Sequence, residues 1–548
     1  MEAFQHRVKV EVSRRRLARE VQGVLTEAQR YANKGELVHS LHFCNKALSM
    51  EAVDDIACEL LALKAEVQLA QGELCKAILD IVRITEKYPE ITNKEVLCKM
   101  IMVRAAIFVS VGADELFVAE LKGNEELLDG VRPLIVPQLK VSASEWHQAR
   151  RRLILSHHPE VHDLFENKVH HGSHLSVFLL VLSMFHVVMT MVVSGSGFLM
   201  VVFVAATVGA SCSFGFQALN HDISHKHVTN PLHFVSMVLG SSLCNFPWAM
   251  YYHYFHHRHH AFTGMEGDRD GDILFHPWHS PPCIELRFNR INVLHSKLVL
   301  RKWSESFKTE RANEDMKVFV IDFAAQSWLR FLWTVIASLM LFPIFLVRKA
   351  WLDVPHTPFV EYEGMMLAAH ILVYRLSGWT GVFYLILSSM FSVGGFCHPY
   401  FGFWLIQHQA IERFPNVSPT LKSMHPKTVL QPTKSYSGPF LWNALNYGEL
   451  WHVEHHDFPM IPASLYPKLK SIAGEFYRDL VSEPAVTDSI KDWLCAKSDD
   501  MWMMKNGDFA NRHSFLSVQY RRFLKFPSDT SEQSEIDLDR WYEKDFAL

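Results

Sequence analysis

Apolar and polar residues follow three successive patterns along the chain. Up to about residue 140, apolar positions recur at helical spacing among charges, with no long uncharged run, which predicts a soluble α-helical module. The character changes at Leu175. Residues 175–193 and 198–216 carry no charge and are separated by Ser-Gly-Ser-Gly at 194–197. About 20 apolar residues cross roughly 30 Å of hydrocarbon, so the two runs predict a transmembrane hairpin. Arg150, Arg151, Arg152 and Lys168 precede it and Lys226 follows it. That bias places both flanks in the cytosol.

Further apolar segments lie at 331–347, 365–376 and 380–397. Arg348 and Lys349 directly follow the first of these, which is therefore expected to be interfacial or re-entrant. The other two predict a second hairpin turning at 376–379. Residues 231–250 are also apolar, but they separate two histidine clusters that should share one side, and are read as not crossing. Residues 496–548 are polar and charged, the pattern of a cytosolic tail. The predicted fold is all-α: a polytopic domain of four transmembrane helices plus interfacial helices, preceded by a soluble α-helical module at 1–140.

The N-terminal module repeats. Gly35-Glu36-Leu37, Gly72-Glu73-Leu74 and the weaker Gly112-Ala113-Asp114 are spaced by 37 and 40 residues, close to the 34-residue period of tetratricopeptide arrays. Residues 22–125 resemble a degenerate array of that kind, without its large first-helix aromatic; an ordinary helical bundle is the alternative. Either form suits partner docking better than chemistry.

Composition narrows the classes. With 54 basic against 58 acidic residues the formal charge is −4, without the basic excess of a nucleic-acid binder. Nine scattered cysteines form no C-x-x-C pair, so neither a disulfide framework nor a thiolate zinc site is expected. The first residues lack an apolar core, and no cleavable secretory signal is expected.

The informative count is 32 histidines. His221 and His225 form an H-x-x-x-H box at the end of the first hairpin. His253, His256, His257, His259 and His260 form the second cluster, and His452, His455 and His456 the third. Residues three and four apart share a helix face, so each box aims its imidazoles at one point. Composition alone yields an H-x-x-H-H run about 0.1 times in such a chain. Zinc takes four ligands. Imidazole also suits iron, and eight rings would supply two open-sided metal positions. A pair of irons handles dioxygen, and a membrane setting points to a lipid chain as substrate.

The boxes and their flanks resemble the membrane fatty-acid desaturase superfamily, and within it the sphingolipid Δ4-desaturase branch. The likeness is carried by N-H-D-I-S-H at 220–225, H-H-A-F-T-G at 259–264 and H-V-E-H-H-D-F-P at 452–459. It also includes the lead-in W-H-Q-A-R-R-R at 146–152, with His158-Pro159-Glu160. It spans roughly residues 146–495. The A-F-T-G flank selects His256, His259 and His260 as the second box, leaving His253 and His257 as supporting groups. Similarity of the segment from His398 to His408 implies His408 as a ninth ligand, although Gln407 stands where the family has Glu.

The resemblance implies two non-haem irons held by these histidines, with Asp222, Glu454 and Asp457 accepting from imidazole N–H groups. It implies use of O2 to place a trans double bond in dihydroceramide at the endoplasmic reticulum, both termini being cytosolic. No haem motif or nucleotide fingerprint is present, so electrons are expected from external cytochrome b5 and its reductase. Sphingolipid C4-hydroxylation and acyl-lipid desaturation are the alternatives within this chemistry. A repeat-domain adaptor with an inactive desaturase-like half is the alternative outside it.

Overall fold

The computed structural model describes residues 2–50, 54–128, 141, 143–165, 168–225, 230–244, 256, 259–260, 359–392, 411–413, 429–436 and 450–483. Segment 331–347 and the tail 496–548 lie outside the described residues. The chain forms two compact units, one of residues 1–158, 411–431 and 473–481, the other of 159–410, 432–472 and 482–548.

The first unit is built from three helix pairs: α1 (Glu2–Asn33) with α2 (Leu37–Leu48), α3 (Asp54–Ala70) with α4 (Leu74–Lys87), and α5 (Lys94–Val111) with α6 (Asp114–Lys122). Each pair turns on a glycine with positive φ: Gly35 at 74°, Gly72 at 79° and Gly112 at 85°. The residue after each glycine donates its N–H five residues back, Glu36 to Tyr31, Glu73 to Gln68 and Ala113 to Phe108, at 2.9–3.0 Å. One left-handed helix-stop motif, which L side chains resist, is thus used three times. Val21, Leu25 and Ala28 of α1 pack with Cys44 and Ala47 of α2 and with Leu60, Leu63 and Val67 of α3. Burial pushes the Cys44 thiol up to about 11.

After a single helical turn, α7 (Glu125–Leu128), helix α8 (Ala143–His157) joins this same unit. Trp146 Nε1 donates to the Ser110 carbonyl at 2.9 Å, and Glu145 accepts the Cys75 N–H at 2.7 Å. The fully buried Arg150 donates to the Val111 carbonyl, its guanidinium lying 4.6 Å from the Trp146 ring and 4.9 Å from that of Tyr477. The lead-in motif therefore holds the helix stack together through a buried, ring-stacked cation.

The second unit contains α9 (Lys168–Val192), α10 (Phe198–Val204), a π turn (Ala205–Gly209), α11 (Ala210–Ser224), α12 (Asn230–Leu243) and α13 (Phe359–Ser392). The chain reverses between α9 and α10 at the Ser-Gly-Ser-Gly segment. Helix α13 breaks at Gly378, whose φ of 64° and ψ of −164° fall inside the predicted turn. A Cβ on Gly381 would lie 3.3 Å from Val373 Cγ1. Eight residues of unbroken helix would span about 12 Å, so the chain folds back there.

The two hairpins pack at matching heights. At the turns, Ser194 Oγ donates to the Ser377 carbonyl and Phe198 meets Phe383. Midway, His186 Nδ1 lies 2.9 Å from the Tyr384 hydroxyl. At the far end Gln217 Nε2 donates to Ser392 Oγ at 2.8 Å, and one turn later comes His221. Both turns therefore lie at one end of the bundle and the first histidine box at the other.

The outward faces are apolar: Val177, Leu180, Met184, Val188 and Met191 on α9, Leu199 and Phe203 on α10, and Leu367, Ile371 and Trp379 on α13 are exposed. Segments Phe198–Ile223 and Leu367–Ser389 are long and apolar enough to cross a membrane. Such continuous exposed apolar belts suit lipid and not water.

Close packing of the hairpins depends on Gly209 in the π turn. A Cβ there would fall 2.1 Å from Ser388 Oγ, 2.9 Å from Ser388 Cβ and 2.9 Å from Tyr384 Cε2. Gly209→Ala should cost about 1–3 kcal/mol by overpacking. Thermal unfolding of the detergent-solubilised chain should show a lowered midpoint. Gly364→Ala, where a Cβ meets nothing within 4 Å, should leave the midpoint unchanged or raised.

Candidate metal centre

Helix α11 carries His221 and is capped by His225. Helix α14 (His452–Asp457) is almost entirely the third box. The short α14 is fixed at its base by Ser435, whose hydroxyl donates to the Glu454 carboxylate and accepts the Val453 N–H at 3.0 Å. Lys470, on α15 (Tyr466–Ile472), pairs with Glu454 at 3.0 Å. A carboxylate this buried needs charged and hydroxyl partners, and here they hold the box in place.

All eight box histidines are buried, from 1% exposed at His225 to 6% at His260. One ring nitrogen from each of His221, His225, His256, His260 and His455 lies within 4.8 Å of the other four. The Nε2 atoms run in a chain, His225 to His256 at 3.0 Å, His256 to His260 at 3.1 Å and His260 to His455 at 3.0 Å. The remaining three adjoin this group: the His456 ring centroid is 4.4 Å from that of His260, 5.0 Å from His259 and 4.6 Å from His452.

These separations bear on the metal. Nitrogens about 2.1 Å from a common ion are about 3.0 Å apart at right angles and about 3.4 Å apart at the tetrahedral angle. The consecutive Nε2 separations of 3.0–3.1 Å are close to what shared ligation of one ion gives. Burial, and the coulombic effect of neighbouring imidazoles, hold His256 and His260 well below the usual histidine range. Both rings are therefore neutral at physiological pH, with the lone pairs that ligation requires.

Asp222 Oδ1 accepts the Ala463 N–H at 3.3 Å, tying the first box to the loop after the third. Asp457 is fully buried beside the box. Glu454 takes Ser435 and Lys470 as described. His408, His253 and His257 lie outside the described residues. Sequence reasoning missed Tyr466, whose hydroxyl lies 3.0 Å from His455 Nδ1. A metal on His455 Nε2 would leave the hydrogen on Nδ1, donating to the phenol oxygen and fixing tautomer and ring orientation. Only its position ten residues past the box hinted at this. Contact across a helix–loop–helix turn is not visible in one sequence.

Two outcomes follow. Tyr466→Phe should weaken metal retention by about 10–100-fold, read as metal lost to a graded chelator challenge while the helical circular dichroism is unchanged. His260→Ala should lose most bound metal and His253→Ala should retain it; the reverse ranking would show that the other H-x-x-H-H frame faces the metal.

A family model described as fatty acid desaturase matches residues 196–483, just over half of the chain. The chain is 29% identical over 130 residues to the Drosophila melanogaster sphingolipid delta(4)-desaturase DES1, covering 24% of this chain and 34% of that protein. It is 34% identical over 129 residues to the Arabidopsis thaliana sphingolipid delta(4)-desaturase DES1-like, 24% and 31% respectively. It is 35% identical over 116 residues to the human sphingolipid delta(4)-desaturase/C4-monooxygenase DES2, 21% and 30% respectively. The matched region spans about a third of each relative's length. No solved structure matches.

Proposed function

Because the chain belongs to the fatty acid desaturase family, we propose that this membrane protein is an oxygen-dependent sphingolipid Δ4-desaturase that converts dihydroceramide to ceramide. One observation carries the proposal: histidines from three boxes, separated by up to 235 positions between His221 and His456, meet in one buried cluster.

His221, His225, His256, His260 and His455 would hold one metal, and His259, His452 and His456, with His408, a second. Two irons bound there would supply the dioxygen activation needed to remove two hydrogens from neighbouring methylenes. The protein's own groups do the rest. Neutral imidazoles present lone pairs; Tyr466 and the box 3 anchors Ser435, Glu454 and Lys470 keep the rings from turning. Burial of the whole cluster limits water, which protects a C–H oxidation from side reactions. Apolar outward faces on α9, α10 and α13 give a lipid chain access from the bilayer.

Topology supports the same reading. Phe198 to His221 is 23 residues, about 35 Å of helix, so a bundle whose turns sit at one membrane face puts the histidines at the other. With two hairpins the chain crosses four times. Both termini and the centre then lie in the cytosol of an endoplasmic-reticulum protein, where cytochrome b5 can deliver electrons. Along the sequence this reading divides the chain at 1–140, 146–495 and 496–548, although residues up to 158 pack with the first unit; the first stretch is a tetratricopeptide-like module for a protein partner. C4-hydroxylation is retained as a second product because the human relative's name includes C4-monooxygenase.

The decisive experiment is iron analysis of the purified full chain, combined with mass spectrometry of its products from dihydroceramide, O2 and a cytochrome b5 system. Two irons per chain and ceramide are expected; zinc in active protein, or full activity in His452→Ala, would overturn the assignment. Glycosylation acceptors set in the 194–197 loop or near Gly378 should be modified, whereas acceptors at Val354 or after Ser528 should stay bare. Glycan at either of the latter positions would overturn the topology.

A further inference from the structure

On α11, Ser213, Gln217 and His221 repeat every four residues and so share one face. All three are buried, Gln217 being 2% exposed, within a helix apolar enough to cross a bilayer. Ser213 is occupied by His186, 3.3 Å away, and His221 belongs to the metal cluster. Among the described residues Gln217 makes one side-chain hydrogen bond, Nε2 to Ser392 Oγ at 2.8 Å. Ser392 in turn donates to the Ser389 carbonyl at 2.7 Å. The Ser389 hydroxyl, 1% exposed, has no hydrogen-bond partner among the described residues. A polar group buried without a partner is costly in a membrane interior. The nearby serine shows the ordinary solution: Ser388 Oγ bonds back to the Tyr384 carbonyl at 2.7 Å. Ser389 does not.

The position of Gln217 is as informative as the Ser389 hydroxyl. Gln217 lies one helical turn, about 6 Å along the axis, from the ligand His221. A plain acyl chain oxidised at mid-chain methylenes brings no polar atom to that distance. A dihydroceramide does: the carbon next to C4 bears a hydroxyl, and the amide nitrogen is one carbon further.

We propose that Gln217, together with Ser389, binds a headgroup hydroxyl or amide of the lipid, selecting substrates whose polar atoms adjoin the carbons that are oxidised. The inference rests on the sphingolipid Δ4 reading above and names the residues that would enforce it. Gln217 fixes which methylene faces the metal, because holding the C3 hydroxyl sets the distance to C4.

The test compares dihydroceramide with its 3-deoxy analogue as substrates for the full chain in membranes, with electrons supplied. Wild type should favour dihydroceramide by about tenfold or more in kcat/KM, the discrimination expected of a site built to bond a hydroxyl. Gln217→Leu should lower kcat/KM for dihydroceramide by about tenfold or more while changing the deoxy analogue by less than about threefold, collapsing the preference. Ser389→Ala, a smaller change, should shift the preference in the same direction, and it serves if Gln217→Leu does not accumulate. Equal loss on both substrates would reduce Gln217 to helix packing and overturn the inference. So would a wild type that turns over both lipids equally, with the parent reading intact. A wild type that oxidises neither lipid would sink the parent reading instead.

Discussion

Everything in the second unit is organised by one requirement: imidazoles from three distant segments must point their nitrogens at a shared space while staying neutral and dry. Each ring alone would be better hydrated. Five ring nitrogens crowd within 4.8 Å, and burial with the neighbouring imidazoles makes protonation of His256 and His260 unfavourable. The arrangement is sustained only if the rings cannot rotate and the segments cannot separate. Tyr466 meets the first condition for His455. Asp222, bonded across to Ala463, and the Ser435–Glu454–Lys470 set meet the second.

The membrane helices serve that centre by geometry. Hairpin turns at one end let the other end present α11 as a rigid post whose last turn carries the first box. Rigid posts hold ligands more precisely than loops do. The apolar belts outside and the polar contacts inside, such as His186 with Tyr384, divide the bundle into a lipid-facing surface and a specifically paired interior. Within that interior Gln217 bonds Ser392, while Ser389 Oγ has no hydrogen-bond partner among the described residues.

The first unit follows different physics. Its three helix pairs are set by one local device, a left-handed glycine that stops a helix and reverses the chain, repeated with the same N–H to carbonyl pattern. Arg150, flanked by Trp146 and Tyr477, extends this stack through α8. A motif that reads in sequence as the approach to the membrane domain is, in structure, part of the helical unit's own core.

Much was legible from residues alone because it rests on short-range periodicity. Helical spacing placed two or three histidines of each box on one face, uncharged runs of about 20 residues marked the first hairpin, and Gly35, Gly72 and Gly112 marked the turns. The gap between the apolar segments also placed the second turn at 376–379, where the helix breaks at Gly378. What the sequence could not supply was contact between segments far apart in number. Tyr466 against His455, Asp222 against Ala463 and Ser435 beneath the third box join positions whose spacing carries no period. The Gln217–Ser392 contact, and the Ser389 hydroxyl without a partner among the described residues, are likewise invisible until α11 meets α13, since whether a buried polar group is satisfied depends on the neighbour that packing brings to it. Local backbone preference determined the elements and the ligand types; tertiary packing alone decided which rings meet, what holds them still, and which buried polar atoms find partners.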